Sequence, residues 1–282
     1  MPTWERMLAA LVLFRPGNVA VVGLSVLVGS GGFWPTGGFW RVALAAASAM
    51  LVSAGGNGLN DFFDLEADRV NRPHRPLPRG LLSPAAAAGI SAVSLVSGAA
   101  LGWLVSTANG LVAAAVAAAL CAYAIWGKRL SIVGNLIVAA ACGAAFVYGG
   151  LAAGSLRMSL IPACFAFLMH LSREILKDVE DREGDLAAGA MTTVIAFGER
   201  RALELAAASL GLLILLTPAP FIIGAYGWRY LVAVVLGVDL MLAVIIYWLL
   251  KGPERERITQ ISYFLKIDML VGIMAICLGL AG

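Results

Sequence analysis

The feature that most narrows what this chain can fold into is a succession of long apolar runs, separated by turns and charge clusters. A hydrocarbon core roughly 30 Å thick takes about 20 helical residues to cross. Cut at Gly, Pro and charge clusters, the sequence offers nine such runs, near residues 11–30, 41–60, 85–105, 109–126, 131–152, 158–177, 199–217, 229–250 and 262–280. Membrane strands are a poor alternative, because they alternate over about ten residues and these runs do not. With 61% hydrophobic and 13% charged residues, an ordinary soluble globule is excluded. The expected fold is all-α, a polytopic membrane protein in which residues 1–282 form one domain. The first run lacks the cleavage site and polar sequel of a secretory leader, so it is expected to stay as a helix.

Charge sets the orientation. With the N-terminus cytoplasmic, only Arg41, Arg157 and Arg229 of the 20 Lys and Arg fall outside. That bias follows the positive-inside rule. The formal net charge of +3 points to no nucleic acid, and no obligate protein partner is indicated. Cys121, Cys142, Cys164 and Cys277 lie within apolar runs and read as small core residues. Two histidines, His74 and His170, make a histidine-rich metal site a poor expectation.

Against this apolar background the acidic residues cluster. Asp61, Asp64 and Asp68 are spaced by three and four residues, which puts three carboxylates on one helical face. Asn60 adds an amide at the i, i+4, i+8 positions with Asp64 and Asp68. The pattern recurs 117 residues later as Asp178, Asp181 and Asp185. Either stretch alone reads equally well as a solvated helix end; two with identical spacing do not. Oxygen donors of this kind suit a hard divalent cation, magnesium before zinc. Arg69, Arg72, Arg75 and Arg79 follow at once and suit phosphate oxygens, so a metal–diphosphate site on the cytoplasmic side is expected.

Other residues carry two readings each. Arg15 and Asn18 are interface anchors or groups aimed at the same anionic site. Lys128 and Arg129 are topogenic charges or phosphate ligands. Arg173, Glu174 and Lys177 form internal ion pairs or contribute to the site. Asp239, in the middle of the eighth run, would suit an ion-coupled transporter, a different class of function, or a structural hydrogen bond.

These residues resemble the UbiA superfamily of intramembrane prenyltransferases. The likeness rests on the two motifs, Asn60-Asp61-x-x-Asp64-x-x-x-Asp68 and Asp178-x-x-Asp181-x-x-x-Asp185, and on nine spans. Within the superfamily the digeranylgeranylglyceryl phosphate synthase branch is most similar, through Asn71-Arg72-Pro73-x-Arg75-Pro76-Leu77-Pro78, Lys128-Arg129 before Gly134-Asn135, and Arg173-Glu174-Ile175-x-Lys177-Asp178. The resemblance implies nine helices around a central cavity open to the bilayer and capped by cytoplasmic loops. It implies Mg²⁺ on Asn60, Asp64, Asp68, Asp181 and Asp185, with Asp61 and Asp178 supporting them. Asp64, Asp68, Asp181, Asp185 and Lys128 would then be catalytic. Arg15, Asn18, Arg72, Arg75, Arg79, Arg129 and Lys177 would bind a prenyl diphosphate and its acceptor. A lipid acceptor brings its own phosphate, expected on Arg72 or Arg75. The alternative is an aromatic acceptor of the 4-hydroxybenzoate type, for which one arginine would suffice.

Overall fold

The computed structural model describes residues 3–31 and 38–280, less the side chains of Thr3, Arg6 and Lys128. Eight of its helices are long and apolar enough to cross a membrane, and a bent pair makes nine if counted as one span. That pair is α1 (Thr3–Leu13) and α2 (Pro16–Gly29). The expected first span, 11–30, is therefore broken near its start, with an angle of 53° between Met7–Leu13 and Pro16–Gly29. Proline is the cause: it disfavours helical backbone in the residue before it, and Arg15 takes a left-handed φ of 54°. Pro16, at the first position of α2, meanwhile needs no amide donor there.

Next come α3 (Phe39–Phe63), the short α4 (Leu65–Asn71), α5 (Pro84–Val105) and α6 (Thr107–Trp126). After a single 3₁₀ turn at Gly127–Arg129 follow α7 (Ile132–Ala153), α8 (Leu156–Glu180) and the short α9 (Arg182–Ala187) and α10 (Thr193–Phe197). The chain closes with α11 (Glu199–Leu216), α12 (Ala219–Ile222), α13 (Trp228–Val234), α14 (Leu240–Leu250) and α15 (Arg255–Leu280). One π-helical turn, Val235–Asp239, joins α13 to α14. Ser83 and Ser106 cap α5 and α6 by accepting the amides of Ala86 and Asn109. Several spans overrun their expected ends because the helices continue past the apolar run: α3 carries Asp61, α8 carries Asp178, and α15 starts at Arg255.

The first half packs through small residues. Val26, Val42, Ala45, Ala145 and Ala152 are buried together between α2, α3 and α7. A Cβ on Gly149 would stand 1.9 Å from the Val26 carbonyl, so only glycine lets α2 and α7 approach this closely. Polar groups tie α3 to α5 and α7: the Ser48 hydroxyl donates to Gly98 O and meets the Tyr148 hydroxyl, each at 2.7 Å. The second half is built from larger side chains, with Leu176, Leu210, Ile245 and Leu265 all fully buried. Between α2 and α15, by contrast, packing is sparse.

Asp239 belongs to this second half. Its carboxylate accepts from Thr217 Oγ1 at 3.0 Å, and the Tyr230 hydroxyl donates to the Thr217 carbonyl at 2.7 Å. It ties the π turn to the end of α11 and does not line the main cavity. The structural alternative for this residue is the one the geometry supports.

Candidate active site

The two acidic motifs adopt matching backbones. A long span ends, the chain turns at a single aspartate, and a short helix resumes. That aspartate is Asp64 (φ −87°, ψ 6°) in one and Asp181 (φ −89°, ψ 1°) in the other. Helical hydrogen bonds persist through both turns, from Asp64 N to Asn60 O at 2.9 Å and from Asp181 N to Lys177 O at 2.9 Å. The stripe expected from the spacing therefore survives the interruption.

α4 and α9, the two short helices, pack against each other. Asn71 bridges them, donating to Asp181 O at 2.7 Å and accepting from Gly184 N at 2.9 Å. A Cβ on Gly184 would come within 2.5 Å of Ala67 O and of the Asn71 side chain, so this approach demands glycine. Arg72 crosses the same seam to Asp181 at 2.6 Å. Both motifs thus meet at one end of the bundle.

Within this cluster Asn60, Asp61, Asp68, Asp181 and Asp185 are buried, and Asp64 is half-buried. Asn60 donates to Asp64 Oδ2 at 2.6 Å. Asp61 accepts from Arg15, and from Arg75 at 3.0 Å; Arg75 also holds Asp68 at 2.6 Å. Burial pushes the Asp68 carboxyl above the ordinary aspartate value, against the opposing pull of Arg75. Among the described residues no three acid, histidine or cysteine side chains already close into a metal cage. Magnesium does not require one: it takes one or two carboxylates and fills its octahedron with substrate phosphate and water. The oxygen donors present fit that pattern. Arg75 is already divided between Asp61 and Asp68, and a further cation would relieve a buried carboxylate.

Asp178 behaves differently. Its carboxylate turns to α7 and α10, accepting from Asn135 Nδ2 at 3.0 Å and from Thr193 N at 3.3 Å. It secures the loop after the second motif. Arg79 and Arg129 are exposed, line no part of the cavity described below, and form no ion pair with the motif carboxylates among the described residues. The Lys128 side chain lies outside the described residues; its backbone is in the 3₁₀ turn after α6. Arg72 and Arg75, expected to meet an acceptor phosphate, are committed to carboxylates in this structure.

Beneath the motifs lies a cavity of about 470 Å³, lined by α2, α3, α6, α7, α8 and α15. Its polar end carries Arg15, Asn18, Asn60 and Lys177, which the sequence had marked, and Arg173 with Glu174. Glu174 is 6% exposed and pairs with Arg173 at 2.9 Å and Lys177 at 3.6 Å, the internal ion pairs of the alternative reading. Further in, the wall becomes apolar, with Val52, Val116, Leu120, Val138 and Ala145. Sequence reasoning missed Asn57, Tyr123, His170 and Lys266 on this wall. For the first three no sequence signal said which helix face points inward. Lys266 did carry one, a lone cation within the last apolar run.

A buried carboxylate cluster interlaced with guanidinium groups, joined through Asn60 to a largely apolar cavity, suits an anionic head on a hydrocarbon tail. Comparison with known proteins agrees. Residues 18–267 match the model of the UbiA prenyltransferase family. The digeranylgeranylglyceryl phosphate synthase of Methanothermobacter thermautotrophicus is 32% identical over 268 residues, 95% of this chain and 94% of that one. A solved structure of digeranylgeranylglyceryl phosphate synthase is 31% identical and superposes with a TM-score of 0.77 over 98% of this chain and 99% of its own. A UbiA homologue from Archaeoglobus fulgidus, solved with GPP and Mg²⁺ bound, shares the fold at 18% identity and a TM-score of 0.59, over 95% of this chain and 99% of its own. The chain, an integral membrane protein by its spans, belongs to the UbiA prenyltransferase family.

Proposed function

We propose that this prenyltransferase moves a geranylgeranyl group from its diphosphate to the free hydroxyl of geranylgeranylglyceryl phosphate, the activity for which its relatives are named. The observation that carries this reading is the meeting of the two acidic motifs, through Asn71, Arg72 and Gly184, over an apolar cavity. Asn60, Asp64, Asp68, Asp181 and Asp185 would hold Mg²⁺. Bound there with the donor, the metal supplies a Lewis acid for the departing diphosphate.

The chain's own residues then have distinct tasks. Arg15 and Lys177, both on the cavity wall, face the charge that builds on the leaving group, and Lys128 is given the same task from its place in the sequence alone. The allylic C–O bond breaks, the acceptor oxygen bonds to the freed carbon, and the hydroxyl proton passes to the diphosphate. Small and apolar side chains along the cavity keep water from the cation in between. The donor's tail lies in the apolar depth of the cavity.

The N-terminus and the site are assigned to the cytoplasmic face, on the distribution of basic residues. A cysteine introduced beside Arg229 should be labelled from outside intact cells, and one beside His74 only after permeabilisation. For the reaction itself, purified protein is given geranylgeranyl diphosphate and either the glyceryl-phosphate lipid or 4-hydroxybenzoate. Ether product, dependent on Mg²⁺ and abolished by chelator, is expected with the lipid. Prenylation of the aromatic acid alone would transfer the assignment to the aromatic-acceptor branch.

A further inference from the structure

The four described cations lining the cavity are Arg15, Arg173, Lys177 and Lys266. Three of them have carboxylate partners: Arg15 has Asp61, and Arg173 and Lys177 share Glu174. Lys266 has neither a hydrogen bond nor an ion pair among the described residues. It lies within a membrane-spanning helix, 11 residues and roughly 16 Å beyond the start of α15 at Arg255. A cation there is expensive unless something anionic comes to it.

Its position is built. Four residues before Lys266, Ser262 donates to Glu180 Oε1 at 2.5 Å; Arg255 reaches Glu183 at 2.5 Å and Glu180 O at 3.0 Å. α15 is thereby fixed to the end of α8 and to the second motif, with Ser262 and Lys266 on one stripe. On the other side of the cavity mouth stands α2, touching α15 only sparsely. Gly17 and Asn18 of α2, and Lys266 and Leu270 of α15, are all exposed while lining the cavity. The gap between these helices is a lateral opening, and Lys266 stands in it. Arg173, Arg72 and Arg15 are near enough to add to the positive field at that point, and Glu180, held by Ser262, offsets part of it.

We propose that Lys266 anchors the phosphate of the lipid acceptor at this lateral opening between α2 and α15. The inference rests on the acceptor proposed above, and it gives that acceptor's phosphate a place apart from the carboxylate-bound Arg72 and Arg75. A phosphate on Lys266 leaves the acceptor's hydrocarbon chain free to remain in the bilayer beside α2 and α15, while its glycerol hydroxyl enters the cavity. Lysine suits the task, since a compact ammonium on a flexible stem can follow a lipid as it enters.

The test uses the full-length protein in nanodiscs of neutral lipid. Lys266→Gln should raise the KM for the glyceryl-phosphate lipid by about 10- to 150-fold, the size of one lost charge-assisted hydrogen bond. KM for the prenyl diphosphate should stay within about 3-fold, and Lys266→Arg should restore most of the loss by keeping the charge. With the same acceptor stripped of its phosphate, wild type and Lys266→Gln should be equally slow. Three results would overturn the proposal: unchanged acceptor KM, equal rises for both substrates, or a defect seen only in discs of anionic lipid. The last would make Lys266 a contact for bulk lipid headgroups. A wild type that uses 4-hydroxybenzoate and not the lipid would overturn the acceptor reading and this inference together. A wild type that uses the lipid confines any failure to Lys266.

Discussion

The walls of α3 and α8 are related position by position through the 117-residue offset that links the acidic motifs, yet they present opposite chemistry. Ser53, Gly56, Asn57 and Asn60 line the cavity from α3; His170, Arg173, Glu174 and Lys177 line it from α8 at the equivalent positions. One wall is small and neutral, the other ionisable. The backbone is repeated through to the turns at Asp64 and Asp181, and even the seam is self-related, because Gly184 packs on Ala67, its own counterpart. The first aspartate of each motif has diverged: Asp61 holds Arg15 and Arg75, whereas Asp178 holds Asn135 and the Thr193 amide. A repeat can thus keep a symmetric set of metal-suited oxygens while its two walls separate. The neutral wall offers hydroxyl and amide groups, while the charged wall, beside Lys266, offers the cations that anionic heads would meet.

The largest effect should come where the halves are most alike. Asp64→Ala and Asp181→Ala should each lower turnover by about 10²- to 10³-fold or more, the range for losing a key electrostatic group. Both proteins should remain folded and monodisperse in detergent. Losses of similar size would sharpen the equivalence, and near-normal activity in either variant would break it.

A smaller, unequal response is expected at the first aspartates. Asp61→Asn weakens the hold on two guanidinium groups and should cost about 10- to 100-fold in kcat/KM, as charge-assisted bonds do. Asp178→Asn keeps an acceptor oxygen for its neighbours, so activity should change by less than about 3-fold, with about 1 kcal/mol of stability lost. Kinetics and thermal melts on the pair decide the point; matched defects would remove the distinction drawn here.

The seam should act on stability and hardly on turnover. Gly184→Ala forces a methyl into the Ala67 carbonyl and the Asn71 side chain, at a cost of about 1–3 kcal/mol. Ala67→Gly, its counterpart, creates no clash and should cost only about 0.5–1 kcal/mol of helix propensity. Paired melting curves, with and without Mg²⁺ and donor, would show both as losses of stability, the Gly184 variant also showing a weaker ligand-induced shift.

Much of this was legible in the chain. Length and hydropathy of the runs located the spans, because only backbone that satisfies its own hydrogen bonds can stand in lipid. The constant offset paired Asp61, Asp64 and Asp68 with Asp178, Asp181 and Asp185 before any coordinates, and local spacing sufficed because i, i+3 and i+4 neighbours share a helix face by geometry alone. Facing was not legible. In a soluble helix the apolar stripe marks the interior, but in lipid both the core and the surroundings are apolar, so periodicity carries no direction. His170, Tyr123 and Asn57 could be placed on the cavity wall only by the rotation of packed helices. Nor could the spacing of Arg72, Arg75, Arg79 and Arg129 tell which two are drawn onto buried carboxylates and which two stay exposed. Spans and motifs are properties of short stretches, which the sequence by itself determines. The partner of each charge depends on which helices lie beside it, and that only the tertiary structure decided, through the close approach of α4 to α9 and the loose contact of α2 with α15.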